Sequence, residues 1–167
     1  MTDHLAGPVE RFAHAAEQFC SWATCQNNAN EDDLAVVCQL LADLVASGCA
    51  LGWSEGEPSE IDAQPAEVEL VEAKASNLPF QYYSEVFNNL LIPAEEAVTG
   101  DLVDDLTDMY RDLAPGLDLY RDGRRQEAAD HWKFWFANHW GEHATSALRA
   151  AWSFLAGREG REQYNGS

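Results

Sequence analysis

Residues 124–140, RRQEAADHWKFWFANHW, constrain this chain more than any other stretch. On a helix, Trp132, Phe134, Trp135, Phe136 and Trp140 point all around the axis instead of forming one stripe. A helix that is apolar on every side must be enclosed, so other helices are expected to surround this one. Trp132, Trp135, Phe136 and Trp152 are the aromatic side chains expected to be most buried.

The rest of the chain supplies the surrounding helices. Pro8 suits a first helical position, and Val9, Phe12, Ala16, Phe19 and Ala23 recur behind it on one face. A second helix is expected to open at Asn30, with Asp33 three residues later as in a capping box, and to end at Gly48. Residues 48–64 are rich in Gly, Pro and Glu and read as a connector. Short helices are expected after Pro65 and after Pro79, the latter with Phe80, Tyr83, Phe87 and Leu90 or Leu91 as its stripe. An Asp-rich helix starts near Asp101, with Pro115-Gly116 expected to kink or end it. From Arg124 the chain reads as helical to about Gly157, with Gly141 as the expected bend or break, and 158–167 as a mobile tail. There are no alternating β-branched runs and no hairpin signals. The expectation is an all-α, single-domain bundle of five to seven helices over residues 1–167.

No apolar run reaches the roughly 18 residues needed to cross a membrane, and the N-terminus has neither the basic nor the apolar region of a signal peptide. The expected location is cytoplasmic. Cys20, Cys25, Cys38 and Cys49 form no CxxC pair, and are expected as reduced, buried small hydrophobes. The net charge is −19. All of it lies in residues 1–110, where 21 acidic residues face only Arg11 and Lys74; residues 111–167 balance at 8 of each sign. Such a field disfavours direct contact with nucleic acid or anionic membrane and favours a basic protein or a cation.

Two motifs carry candidate chemistry. DLVDDLTDMYRDL, residues 101–113, sets Asp101, Asp104, Asp105, Asp108 and Asp112 within an arc of roughly 100° beside the apolar face. Asp101 suits an N-cap, and Asp104 and Asp105 lie in the first turn, where the helix dipole favours negative charge. Asp105, Asp108 and Asp112 are expected to look towards the C-terminal helices and their Arg or His side chains. Three partners remain open: internal Arg or His residues, a divalent cation, or an external basic protein. The second motif is HWGEH, residues 139–143, with His139 and His143 one turn apart and Glu142 between them. It matches the H-x-x-E-H pattern of inverted zinc peptidases, and equally a pair of histidines hydrogen-bonded beside an aromatic core. No phosphate loop or nucleophile elbow is present.

The stretches GDLVDDLTDMYRDLAPGLDLY (100–120) and FWFANHWGEHATSALRAAW (134–152) resemble the bacterial domain-of-unknown-function family 5063. Asp104, Asp105, Asp108, Tyr110, Arg111 and Asp112 match its acidic block; His139, Trp140, Gly141, His143 and Ala144 match its histidine block. The resemblance, which spans about residues 80–155, implies a helical fold and a family without an assigned activity. It also implies that the two blocks belong to one signature and that their helices meet. A metal, if bound, is expected on Asp105, Asp108, Asp112, His139 and His143. Asp104, Tyr110, Arg111, Trp140 and Glu142 are expected to serve binding. The expected function is a binding module for a basic partner (an adaptor, an inhibitor or immunity-type protein, or a nucleic-acid mimic) rather than an enzyme. The competing expectation is a metal-dependent hydrolase of phosphate esters or nucleotides. No cofactor is expected beyond that divalent metal.

Overall fold

The computed structural model describes residues 7–27, 29–30, 32–53 and 57–164, with side chains to residue 157. Six helices form among them: α1 (Pro8–Thr24), α2 (Asp33–Leu51), α3 (Pro65–Ala75), α4 (Leu102–Arg121), α5 (Arg125–Asn138) and α6 (Trp140–Tyr164). The all-α bundle is therefore as the periodicity predicts. α4 packs against α1, α3, α5 and α6, and α5 also meets α2 and α6. Phe12, Phe19, Leu41, Leu106, Met109, Leu113, Trp132 and Trp140 fill the space between them.

Trp132 and Phe136 are buried, as expected, and Trp135 is half-buried. Trp152 is not: it stands 63% exposed on α6, the face of which towards the core is carried by Ala144, Ala147 and Ala151. Of the cysteines, Cys20 is buried and Cys38 half-buried, but Cys25 and Cys49 are exposed; all four are free.

The segment after Pro79 is not a helix. Strand β1 (Tyr82–Glu85) pairs antiparallel with β2 (Val98–Asp101), with Tyr83 opposite Gly100. The hairpin escapes sequence reading because each strand has four residues and the connection is long, with no tight-turn dipeptide. Phe87, Leu90, Leu91 and Ile92 are exposed in that connection, where Phe87 and Leu90 or Leu91 are expected on a helical stripe.

α2 begins at Asp33, past Asn30, although the capping contact itself is present: the Asn30 amide donates to the Asp33 carboxylate at 2.8 Å. It runs through Gly48 to Leu51, so the connector begins at Gly52. Gly48 serves packing, since a Cβ there would lie 2.9 Å from the Trp140 ring. By length and composition α2 does reach membrane-spanning size, with 19 residues and a mean hydropathy of 2.0, contrary to expectation; one face of it packs on α1, α5 and α6.

Pro115 and Gly116 lie inside α4 without ending it. Proline removes one helical hydrogen bond and pushes the preceding turn's carbonyls outward. In that turn, His131 Nε2 donates to the Asp112 carbonyl at 2.9 Å and Trp132 Nε1 to that of Leu113 at 3.1 Å. Gly116 lets the indole approach, because a Cβ would lie 2.1 Å from Trp132 Nε1. The C-terminal helix does break, at His139 (φ −153°, ψ −81°) rather than Gly141. Gly141 makes the break possible: a Cβ there would lie 2.3 Å from the Phe136 carbonyl. Of the expected tail, residues 158–164 continue α6 and 165–167 lie outside the described residues.

Candidate metal centre

The Asp101 side chain caps α4, accepting from the amides of Val103 (2.9 Å) and Asp104 (3.3 Å). Beyond the cap, Asp105, Asp108 and Asp112 follow at i, i+3 and i+7 and line up along one side of the helix. Opposite them stand His139, at the α5–α6 break, and His143, one turn into α6.

The pairing is specific. His139 Nδ1 lies 2.7 Å from Asp112 Oδ2, and His143 Nδ1 lies 2.7 Å from Asp105 Oδ1. Both carboxylates are buried. Asp105 Oδ2 also accepts the Tyr83 hydroxyl at 2.5 Å. With each Nδ1 donating to a carboxylate, Nε2 is the nitrogen left without a proton whenever the ring is neutral. The two Nε2 atoms face each other at 3.3 Å. Asp108 Oδ2 lies 3.8 Å from His139 Nε2 and 3.7 Å from His143 Nε2, and its other oxygen accepts Arg111 at 2.6 Å. One ligand atom from each of Asp108, His139 and His143 lies within 4.8 Å of the others.

The electrostatics follow from burial and from these bonds. Burial pushes the Asp105 carboxyl up, against the opposing hydrogen bonds from His143 and Tyr83. Burial likewise raises Asp112 to about 6, with His139 pulling it back and Asp108 adding to the rise. The bond to Asp105 raises His143, while burial opposes it. Tyr83 is raised by burial and by its bond to Asp105, so it remains a proton donor there.

Two facing lone pairs repel unless a cation lies between them, either a proton shared by the nitrogens or a metal ion. Tetrahedral ligation at about 2.0–2.1 Å puts neighbouring nitrogens about 3.4 Å apart, close to the spacing seen here. With a small shift, Asp108 would complete a ligand set of two imidazoles and one carboxylate. The Asp–His hydrogen bonds would then be the outer shell that metal-ligating imidazoles ordinarily have.

The other sequence candidates, Arg111 excepted, lie apart from the cluster. Trp140 is fully buried, and its Nε1 donates to the Trp132 carbonyl. Tyr110 is buried and its hydroxyl donates to Glu67 at 2.8 Å. Asp104 and Glu142 are exposed in the first turns of α4 and α6. Arg111, also exposed, bridges Asp108 and Glu72. Sequence reasoning misses Tyr83. Its signal is Gly100: a Cβ there would lie 2.5 Å from the Tyr83 ring, so only glycine opposite lets the ring lie across the hairpin towards Asp105. Trp135, expected as core, is half-buried against the core and also meets the His139 ring edge-on at 6.0 Å.

A family model described as "Domain of unknown function (DUF5063)" matches residues 5–156. The chain belongs to this family. It is also similar in fold to protein BF1032 from Bacteroides fragilis, known from a crystal structure. The TM-score is 0.66 at 18% identity, over 86% of this chain and 89% of that one. A comparison with curated proteins gave no match. In this member of family 5063 the acidic and histidine blocks of the signature meet in one cluster of hydrogen bonds between α4 and the α5–α6 junction.

Proposed function

We propose that this protein is a metalloprotein. His139 Nε2, His143 Nε2 and the Asp108 carboxylate hold a divalent transition-metal ion, while Asp112 and Asp105 orient the two imidazoles. The observation that carries the reading is the pair of Nε2 atoms, 3.3 Å apart, each ring anchored through Nδ1 by a buried carboxylate. A mixed nitrogen and oxygen donor set suits zinc, manganese or iron better than magnesium or calcium. Three protein ligands leave positions for water, and a metal-bound water of lowered pKa suits hydrolysis of an ester or phosphoester bond. His139, His143 and Asp108 are all partly solvent-accessible, which such a role requires.

Purified protein should carry a transition metal by elemental analysis, and EDTA should lower its melting temperature. Re-addition of Zn²⁺ or Mn²⁺ should restore it, by linkage. No metal and no shift with any of these ions would remove the proposal.

A second reading, a module for a basic partner, is favoured by a separate observation. The exposed Leu90, Leu91 and Ile92 stand in the acidic two-thirds of the chain, beside Glu95 and Glu96. Such an association should weaken steeply with salt. Recovery of no salt-sensitive partner from lysate would count against it.

A further inference from the structure

A cleft borders α4's acidic stripe at Asp112. The connector residues 57–63, α3 and α5 enclose this open space of about 1190 Å³. Asp112 and Trp135 line it, so it borders the imidazole cluster without including either imidazole. Six carboxylates line it against one permanent cation, Arg111, which is engaged by Glu72 and Asp108. Glu57, Glu60, Asp62 and Glu69 have no ion pair to neutralise them among the described residues. Phe134 and Trp135 form an aromatic part of the wall, in mutual edge contact at 5.1 Å, and Val68 and Pro65 supply aliphatic surface.

Acidic rims are common, and this one alone would point to nothing. The independent observation is His131. It lines the cleft, is 2% exposed, and its Nδ1 is the one buried side-chain nitrogen or oxygen among the described residues without a hydrogen-bond partner. Its Nε2 proton is committed to the Asp112 carbonyl, so Nδ1 is a bare acceptor in the neutral ring. Burial holds the ring neutral by lowering its pKa. A buried acceptor without a partner is an exception that calls for a donor.

From these features we infer that the cleft binds a small organic ammonium ion with an apolar or aromatic body. Its N–H groups would donate to the carboxylates and, once the wall shifts enough to uncover it, to His131 Nδ1, which is fully buried here, and its charge would lie against the faces of Trp135 and Phe134. Its body would pack on Val68 and Pro65. Anions are excluded by the sign of the field, and a hydrated metal ion would leave the aromatic wall unused. The cleft's volume of about 1190 Å³ exceeds the roughly 300–1,000 Å³ of ordinary small-molecule sites, so a ligand of this kind would fill only part of it.

The test uses the whole chain in EDTA, so that it does not depend on the metal proposal. Binding of 2-phenylethylamine is followed by calorimetry and by tryptophan fluorescence, beside its neutral counterpart 2-phenylethanol and the anion 3-phenylpropionate. The amine should bind about tenfold or more tightly than the alcohol, the discrimination one charge-assisted hydrogen bond supplies. The anion should not bind, and added salt should weaken the amine. The double variant Asp62→Asn, Glu69→Gln changes two exposed side chains, and should fold normally yet lose that discrimination. His131→Phe should lose it too; if that variant fails to fold, the surface pair still decides. Equal binding of all three probes, or none at millimolar concentration, would overturn the inference. So would a lysine-rich peptide that binds in preference to the free amine with the same dependence on Glu69, since the occupant would then be a protein.

Discussion

Replacing Asp108 by alanine separates the two roles that the α4 carboxylates can have. In metal-free protein Asp108 hydrogen-bonds Arg111, whose side chain is 46% exposed and remains hydrated when its partner is removed, and otherwise lies 3.7–3.8 Å from the two imidazole Nε2 atoms, beyond hydrogen-bond distance. An exposed pair of this kind is worth about 0–1 kcal/mol. Against that small loss stands a gain, because Asp108 contributes to the rise of the neighbouring Asp112 carboxyl, and removing its charge relieves that repulsion. The net change in EDTA should therefore lie within about 1 kcal/mol of zero. With Zn²⁺ at one hundred times its dissociation constant, wild-type protein should gain about 2.7 kcal/mol. For a chain of this length that is a rise in melting temperature of roughly 5–11 °C. Asp108→Ala, having lost one of three ligands, should lose most of the rise. Thermal melts of both proteins, with EDTA and with Zn²⁺, read all four values. Equal destabilisation of the variant in both conditions would refute the reasoning, since Asp108 would then be a structural partner.

Three further outcomes follow from the same geometry. Gly116→Ala forces a methyl group into Trp132 Nε1 and disturbs its bond to Leu113, and should cost about 3 kcal/mol, read as a lowered denaturation midpoint. His131 has a lowered pKa, so its neutral form stabilises the fold fully above the unfolded value of about 6.5, and that contribution falls away as pH drops below it. His131→Gln keeps a side-chain donor for the Asp112 carbonyl; between pH 6.5 and 5 it should lose less stability than wild type, by up to about 1.4 kcal/mol per pH unit, and parallel curves would count against the assignment. Replacing Asp105, Asp112, His139 and His143 together by leucine should leave stability unchanged or raise it by about 1–4 kcal/mol while abolishing any response to metal; marked destabilisation would show that the polar network itself holds the bundle together.

The bundle is legible in the sequence because its helices write their buried faces at the helical period. The meeting of the Asp and His blocks is legible for the same reason: carboxylates at 105, 108 and 112 must find partners along one line, and imidazoles at 139 and 143 are spaced one turn apart. What escapes reading depends on contacts between distant segments. Tyr83 reads equally well as a member of a helical stripe, and only its register against Gly100 turns it towards Asp105. Pro115 looks like a helix end until Trp132 and His131 are seen donating to the turn before it. Trp152 reads as core by its hydrophobicity, yet α6 approaches the core through alanines and leaves the indole outside.

Why a bundle should keep two carboxylates and two imidazoles at the edge of its core is the remaining question. Asp105 and Asp112 occupy buried positions on α4, between Leu102, Leu106 and Leu113, where leucine would pack. Burial raises the pKa of both, so their environment works against their charge. A buried polar pair of this kind seldom stabilises more than an apolar pair of the same volume. What leucine cannot do is hold two imidazole rings so that both Nε2 atoms face the same point, with a third carboxylate at hand and water within reach. The hydrogen bonds at Nδ1 set ring orientation and tautomer together, and Tyr83 holds Asp105 from the far side. On the metalloprotein reading proposed above, this arrangement is a ligand set held ready by its outer shell, and the acidic stripe of α4 is then a site as well as a surface.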